Sequence, residues 1–117
     1  MGVSSDGWHR AADRSTLPAG GALRVEIGRL AIALYDADGT VYATADTCTH
    51  AQASLSEGYL DGESIECPLH QACFHVPTGR VLAPPATEPL AVYPVRVAEG
   101  AIWVQIRASD PGRGGTR

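Results

Sequence analysis

Two short segments of this chain combine a thiol with an imidazole at close spacing. The first reads Cys48-Thr49-His50, and the second, separated from His50 by sixteen residues, reads Cys67-Pro68-Leu69-His70. Thiolate sulfur is a soft ligand for iron and zinc, and neutral imidazole binds both metals as well. Each segment is rich in small and turn-forming residues, so each is predicted to be a loop. The pattern therefore predicts a metal site between two loops, with one sulfur and one nitrogen ligand from each.

Two kinds of metal site fit this set of four ligands. A Cys₂His₂ set can hold a structural zinc ion, although zinc sites usually place two or more residues between paired ligands and only Thr49 separates Cys48 from His50. A 2Fe-2S cluster can also bind two cysteines and two histidines, and the neutral histidines make it easier to reduce than an all-cysteine cluster. The spacing favours the cluster, and a zinc-stabilised interaction module remains the alternative.

Two further residues near the site could be confused with ligands. Cys73 is interpreted as a buried structural cysteine, and His75 is expected to point to solvent or to a backbone partner. The three cysteines in the chain are an odd number, which argues against a disulfide framework. Carboxylates show no clustering that would suggest acid–base catalysis, and no glycine-rich phosphate loop is found.

The elements that position these loops are predicted to be strands. Alternating apolar and polar residues and turn signals such as Asp38-Gly39 predict short strands, and no window has a convincing helical period. The predicted strands are 22–27, 30–35, 40–44, 64–66, 74–76, 91–97 and 101–105. Residues 8–14 are expected to be a short approach segment. The prediction is an all-β fold with about eight to ten short strands in stacked antiparallel sheets and the two loops inserted in the middle.

Length and charge limit the possible classes of protein. The 117 residues suit one domain, 1–117, whose last residues, 109–117, are expected to form a flexible tail. The net charge of −4, with no stripe of basic residues, argues against nucleic acid as a partner. No apolar stretch approaches the ~20 residues needed to span a membrane. The N-terminus has no signal-peptide pattern, so a cytoplasmic location is expected.

Much of the chain, from about Val25 to Gln105, resembles the Rieske-type ferredoxins of bacterial aromatic ring-hydroxylating dioxygenase systems. The matching text includes Cys48-Thr49-His50-Ala51, Leu55-Ser56-Glu57-Gly58-Tyr59-Leu60, Ile65-Glu66-Cys67-Pro68-Leu69-His70, Phe74, Thr78-Gly79, Pro84-Pro85 and Tyr93-Pro94-Val95. The resemblance implies a Rieske-like fold whose cluster-binding subdomain covers about 45–86. It also implies one Rieske-type 2Fe-2S cluster, with Cys48 and Cys67 on one iron and His50 and His70 on the outer one.

The same resemblance implies an electron carrier rather than an enzyme. Such a protein passes single electrons from a flavin-dependent NAD(P)H reductase to a terminal aromatic ring-hydroxylating oxygenase. Both partners are expected to dock transiently on a monomer, at the cluster tip near His50 and His70. The tip residues are small or neutral: Ala51, Gln52, Leu69, Gln71 and Pro84. The alternative is the small Rieske subunit of a nitrite reductase, in which the ligands are more often altered, whereas all four are present here.

Overall fold

The computed structural model describes residues 7–48, 53–69, 71–84 and 88–106. In these residues eleven strands and two single-turn 3₁₀ helices form three antiparallel sheets. The strands are β1 (Trp8–Asp13), β2 (Ala22–Ile27), β3 (Leu30–Ala37), β4 (Thr40–Ala45), β5 (Tyr59–Asp61), β6 (Ser64–Glu66), β7 (Cys73–His75), β8 (Val81–Ala83), β9 (Val92–Tyr93), β10 (Val95–Ala98) and β11 (Ala101–Gln105). The 3₁₀ helices are η1 (Arg14–Thr16) and η2 (Leu55–Glu57). The all-β fold predicted from the sequence is therefore confirmed.

The predicted meander of β2, β3 and β4 is present, and β9 extends it to a four-stranded sheet. Ala37 pairs with Thr40 across the β3–β4 turn. Between them, Asp38 and Gly39 have positive φ angles of 55° and 90°. A two-residue hairpin turn with this conformation matches the twist of the strands that it joins, which explains why the sequence signal was reliable here.

A second sheet of three strands, in the order β1-β11-β10, corrects two expectations. Residues 8–14 were expected to be an approach segment, but most of them form β1, whose partner β11 lies near the other end of the chain. The single strand expected over 91–97 is divided at Pro94, so that β9 and β10 belong to different sheets. Proline lacks the N–H that a continuous strand would need. The described residues contain eleven strands rather than the expected eight to ten, because β1, the division at Pro94, β5 and β8 add short strands.

The third sheet has the order β5-β6-β7-β8 and comes between β4 and β9 in the sequence. Its three hairpins lie beside the two segments that carry the predicted ligands. The tail expected at 109–117 lies outside the described residues. No helix in the part of the chain described here is long and apolar enough to cross a membrane.

Strand β3 is buried almost throughout and separates two hydrophobic cores. Ile32 and Leu34 face what we call the base core, and Ala33 and Tyr35 face what we call the loop core, because successive side chains of a strand point to opposite faces. The base core comprises Leu17, Leu30, Ile32, Leu34, Val41, Ala43, Tyr93, Ile102, Val104 and Ile106. The loop core comprises Ala33, Tyr35, Cys48, Leu55, Ile65, Cys67, Ala72, Phe74, Val76 and Leu90.

Candidate metal centre

The first predicted ligand loop leaves the end of β4 and returns to η2. Its two ends are joined by backbone contacts: the Leu55 N–H donates to the Asp46 carbonyl at 2.7 Å, and Thr47 forms a β-bridge with Ser54. One step further in, the Cys48 N–H donates to the Ala53 carbonyl at 2.9 Å. The backbone thus fixes Cys48 at the mouth of the loop.

The second loop lies between β6 and β7 and is closed in the same way. Glu66 pairs with Cys73 in the strand ladder, and inside that pair the Cys67 N–H donates to the Ala72 carbonyl at 2.7 Å. Within the loop, Gln71 has a φ of 62°, a left-handed conformation that few residues other than glycine adopt. In both loops the cysteine N–H is therefore bonded to the carbonyl five residues later.

Gly58 allows the two loop segments to lie side by side. A Cβ atom at this position would lie 2.0 Å from the Glu66 carbonyl oxygen, which is far inside van der Waals contact. Only glycine lets the chain that follows η2 approach the end of β6 so closely. Gly58 therefore sets the separation of the two cysteine loops.

The structure brings Cys48 and Cys67 together inside the loop core. Their side chains are 3% and 1% exposed, and neither forms a disulfide. Burial raises the pKa of the Cys67 thiol, the Leu69 N–H lowers it by hydrogen bonding to the sulfur, and the neighbouring Cys48 thiol raises it. Two buried thiols that interact directly, with an N–H group aimed at one sulfur, form a suitable site for a thiolate-binding metal group.

The donor set fits the thiolate half of a Rieske-type cluster. Two sulfurs from separate loops, shielded from water, match the ligands that such a cluster takes on its inner iron. The other two predicted ligands, His50 and His70, lie outside the described residues, as do the tip residues Ala51 and Gln52.

Cys73 and His75 lie on β7, beside the site. Cys73 is half-buried rather than a core residue, and its Sγ lies 3.7 Å from the Gln71 carbonyl oxygen. His75 has side-chain partners rather than the expected solvent or backbone partner: Nδ1 lies 2.8 Å from Thr78 Oγ1, and Nε2 lies 3.1 Å from Glu63 Oε1. Both ring nitrogens of His75 are thus engaged by residues of neighbouring turns.

The exposed end of the site carries residues without charge. Pro68, Leu69, Gln71 and Pro84 are all exposed, and Leu69 exposes 47% of its surface. Pro68, Leu69 and Gln71 belong to the second loop, and Pro84 follows β8.

Sequence reasoning missed Asp46 and Arg24. Asp46 is a buried carboxylate directly after β4. It accepts a hydrogen bond from the Ser56 N–H and forms an ion pair with Arg24. Its place two residues before Cys48 is the only signal in the sequence. An aspartate in a polar segment gives no sign that it will be buried.

Comparisons with known proteins agree with one another. The model of the Rieske [2Fe-2S] domain matches residues 7–94. The chain is 46% identical to the 3-phenylpropionate/cinnamic acid dioxygenase ferredoxin subunit of Shigella flexneri serotype 5b (strain 8401), over 81% of this chain and 90% of that protein. It is 40% identical to the ferredoxin component of the 2,4-dinitrotoluene dioxygenase system of Burkholderia sp. (strain RASC), over 87% of this chain and 98% of that protein.

A solved structure gives the same result for the fold. It is a complex of reduced oxygenase and oxidized ferredoxin in carbazole 1,9a-dioxygenase. One of its chains superposes with a TM-score of 0.80 and 43% identity, covering 86% of this chain and 94% of that one. Both curated relatives and this structure belong to dioxygenase systems.

Proposed function

Because the chain belongs to the Rieske [2Fe-2S] domain family, we propose that it is the ferredoxin of a multicomponent aromatic ring-hydroxylating dioxygenase. In this role it carries single electrons from a flavin-dependent NAD(P)H reductase to a terminal oxygenase. It is an electron-transfer component and not an enzyme, as its relatives' names indicate. The observation that carries the proposal is the pair of buried, interacting thiols on two loops with matching closures. The relatives do not favour the nitrite reductase alternative.

The cofactor is one Rieske-type [2Fe-2S] cluster, as the family match indicates. We assign Cys48 and Cys67 to the inner iron and His50 and His70 to the outer iron. The bound cluster supplies a site that accepts and releases one electron. The chain's own residues exclude water from the two sulfurs and direct the Leu69 N–H at the Cys67 sulfur. Hydrogen bonds to cluster sulfurs help to set the reduction potential of such centres.

The proposed docking surface for both partners is the tip near His50 and His70. The carbazole dioxygenase structure is a complex of a ferredoxin with its oxygenase, which supports an oxygenase as one partner. The exposed tip residues described above carry no charge, so a partner can approach the cluster end closely without repulsion there. Interfaces of this kind are small and short-lived.

We propose a monomer of one domain over residues 1–117, with a cluster-binding subdomain over about 45–86. We place it in the cytoplasm, because the reductase that supplies its electrons draws on NAD(P)H.

The test is a reconstitution with purified reductase, oxygenase and an aromatic substrate. Product formation and NAD(P)H consumption should depend on this chain and saturate with its concentration. Iron and acid-labile sulfide should be found in anaerobically prepared protein, with the paramagnetic signal of a Rieske centre on reduction. A colourless protein that contains zinc would contradict the proposal and favour the interaction module.

The docking surface has its own test. Gln71→Glu places a negative charge at the tip, and we expect slower electron transfer with an unchanged cluster spectrum. Thr40→Glu adds the same charge at an exposed position at the opposite end of β4 from Cys48, and it should leave the transfer rate unchanged. Equal rates for both variants would place the docking surface elsewhere.

A further inference from the structure

The two cysteine loops are anchored differently at their bases. The second loop joins paired strands, because Glu66 at the end of β6 lies opposite Cys73 at the start of β7. The first loop leaves β4 but returns into η2, which is a single helical turn and not a strand. Among the described residues, the isolated Thr47–Ser54 bridge and a few hydrogen bonds, rather than a strand ladder, hold the returning segment beside the departing one.

Asp46 supplies two of those contacts. Its carbonyl accepts the Leu55 N–H at 2.7 Å, and its side-chain Oδ1 accepts the Ser56 N–H at 2.9 Å. The side chain thus binds the first turn of η2 one residue beyond the last backbone contact. A charged acceptor makes a stronger hydrogen bond to a backbone N–H than a neutral one does.

The same carboxylate is tied to a third element. Arg24 on β2 places Nε 3.3 Å from Asp46 Oδ2, and the Asp46 side chain is only 2% exposed. A buried carboxylate is tolerated when its charge is balanced and its oxygens are hydrogen-bonded, and both conditions are met here. The pair therefore connects the end of β4, η2 and β2 at a point two residues before Cys48.

We propose that Asp46 is the positioning residue of the first ligand loop. It holds the returning segment in place through Ser56 and Arg24, so that the Cys48 sulfur stays opposite the Cys67 sulfur. This inference rests on the proposed function, because it concerns the site that binds the cluster. It extends that function to a residue that touches neither the cluster nor a partner.

A second buried carboxylate provides a matched control. Asp36 is 4% exposed, forms an ion pair with Arg14 at 2.6 Å, and accepts the Gly39 N–H at 2.8 Å. Like Asp46, it combines an arginine partner with an accepted backbone N–H. Asp36 stabilises the β3–β4 turn, at the far end of β4 from Cys48, so its loss should weaken the fold without affecting the ligand loops.

The experiment compares Asp46→Ala with Asp36→Ala in the protein that has been assembled with its cluster. Both variants should be less stable to unfolding. In buffer in which both remain folded, Asp46→Ala should release iron to a chelator about tenfold faster or more, which is the usual cost of losing a residue that supports metal ligands. Its Rieske paramagnetic signal should also change shape, whereas Asp36→Ala should match the wild type in both measurements.

Asp46→Asn keeps an oxygen that can accept the Ser56 N–H, and it should restore the wild-type signal and most of the cluster lifetime. If Asp46→Ala does not fold, the Asn variant and Arg24→Gln still test the proposal, since Arg24→Gln should release iron faster than Asp36→Ala. Equal release rates and identical signals for the Asp46 and Asp36 variants would overturn the positioning role alone. Wild-type protein that contains neither iron nor labile sulfide would overturn the proposed function as well.

Discussion

The two cores on either side of β3 differ in the types of side chain that they contain. The base core consists mainly of aliphatic side chains from two sheets, with Ile32, Leu34, Ile102 and Val104 fully buried. The loop core contains two thiols, Cys48 and Cys67, and the tyrosine Tyr35, whose hydroxyl lies 2.9 Å from Thr44 Oγ1. Burial raises the pKa of Tyr35 well above its ordinary value, so this residue stays neutral.

From this difference we expect the base core to be stable without a metal and the loop core to need one. Aliphatic side chains contribute stability by burial alone. Buried thiols contribute less to packing, and they repel each other once they ionise, until a metal binds them. The loop core should therefore depend on its cofactor, whereas the base core should not.

The largest effect should come from Phe74→Ala in the loop core. Phe74 is fully buried, and removing its ring should cost about 3–5 kcal/mol in the free energy of unfolding. The cavity lies among the residues that hold both cysteines, so iron per folded molecule should also fall. Denaturant unfolding and iron analysis measure the two effects.

The matched change in the base core is Ile102→Ala, which should cost about 2–5 kcal/mol. Iron per folded molecule should stay at the wild-type level. If Ile102→Ala loses as much iron as Phe74→Ala, the two cores are not independent and the comparison fails.

Removal of the cluster should have the next largest effect. In the protein without iron, we expect amides of β6 and β7 to exchange hydrogen about tenfold faster, equal to ~1.4 kcal/mol in local opening free energy. Amides of β11 should change much less, since its buried side chains Ile102 and Val104 pack in the base core. Hydrogen exchange followed residue by residue measures this, and uniform loss of protection would contradict it.

The pH dependence of the metal-free protein should be smaller. Folding raises the pKa of Cys67, mainly by burial, above its ordinary value of 9.0. A thiol of this kind contributes its full stability below the ordinary pKa and loses it as the pH rises through the folded value. The unfolding midpoint of the metal-free protein should therefore fall as the pH rises above 9.0, the ordinary pKa of the thiol. Metal-free Cys67→Ser should show a weaker fall, and an identical one would contradict this assignment.

The smallest effect should come from His75→Ala. The contacts of this residue with Glu63 and Thr78 are partly exposed, so their loss should cost less than about 1 kcal/mol. The iron content should be unchanged, because His75 already has partners at both ring nitrogens and is not a proposed ligand. Loss of iron in this variant would make His75 part of the metal site.

Local signals in the sequence were enough to predict part of this fold. The β2–β4 meander follows from alternation and from the Asp38-Gly39 turn, and both are properties of adjacent residues. Strand β1 was missed because its partner β11 is distant in the chain, and an isolated six-residue segment does not reveal that pairing. Strands β5 and β8 have three residues each, too few to show a period, whereas the equally short β6 and β7 were predicted from the turns and loops that flank them.

The candidate site shows the same division. Cys48 and Cys67 were found because ligand chemistry needs particular residue types at a particular spacing. Asp46, Arg24 and Gly58 were not found, because their roles depend on contacts between β2, η2 and β6 that only the folded chain creates. The half-buried position of Cys73 likewise depends on which face of β7 it occupies. The structure brings Cys48 and Cys67 together, and the expected roles of Cys48, Cys67, His50 and His70 as ligands stay predictions.

The matching closures of the two loops leave exposed side chains of the second loop, such as Leu69, without a part in holding that loop closed. The backbone bonds from Cys48 to Ala53 and from Cys67 to Ala72 fix the loop mouths without any side chain of the exposed tip. Residues such as Leu69 can therefore be exchanged during evolution, or by engineering, with no rebuilding of the interior. On the proposed docking surface, we therefore expect a few substitutions of this kind to change the choice of partner and to leave both cores intact.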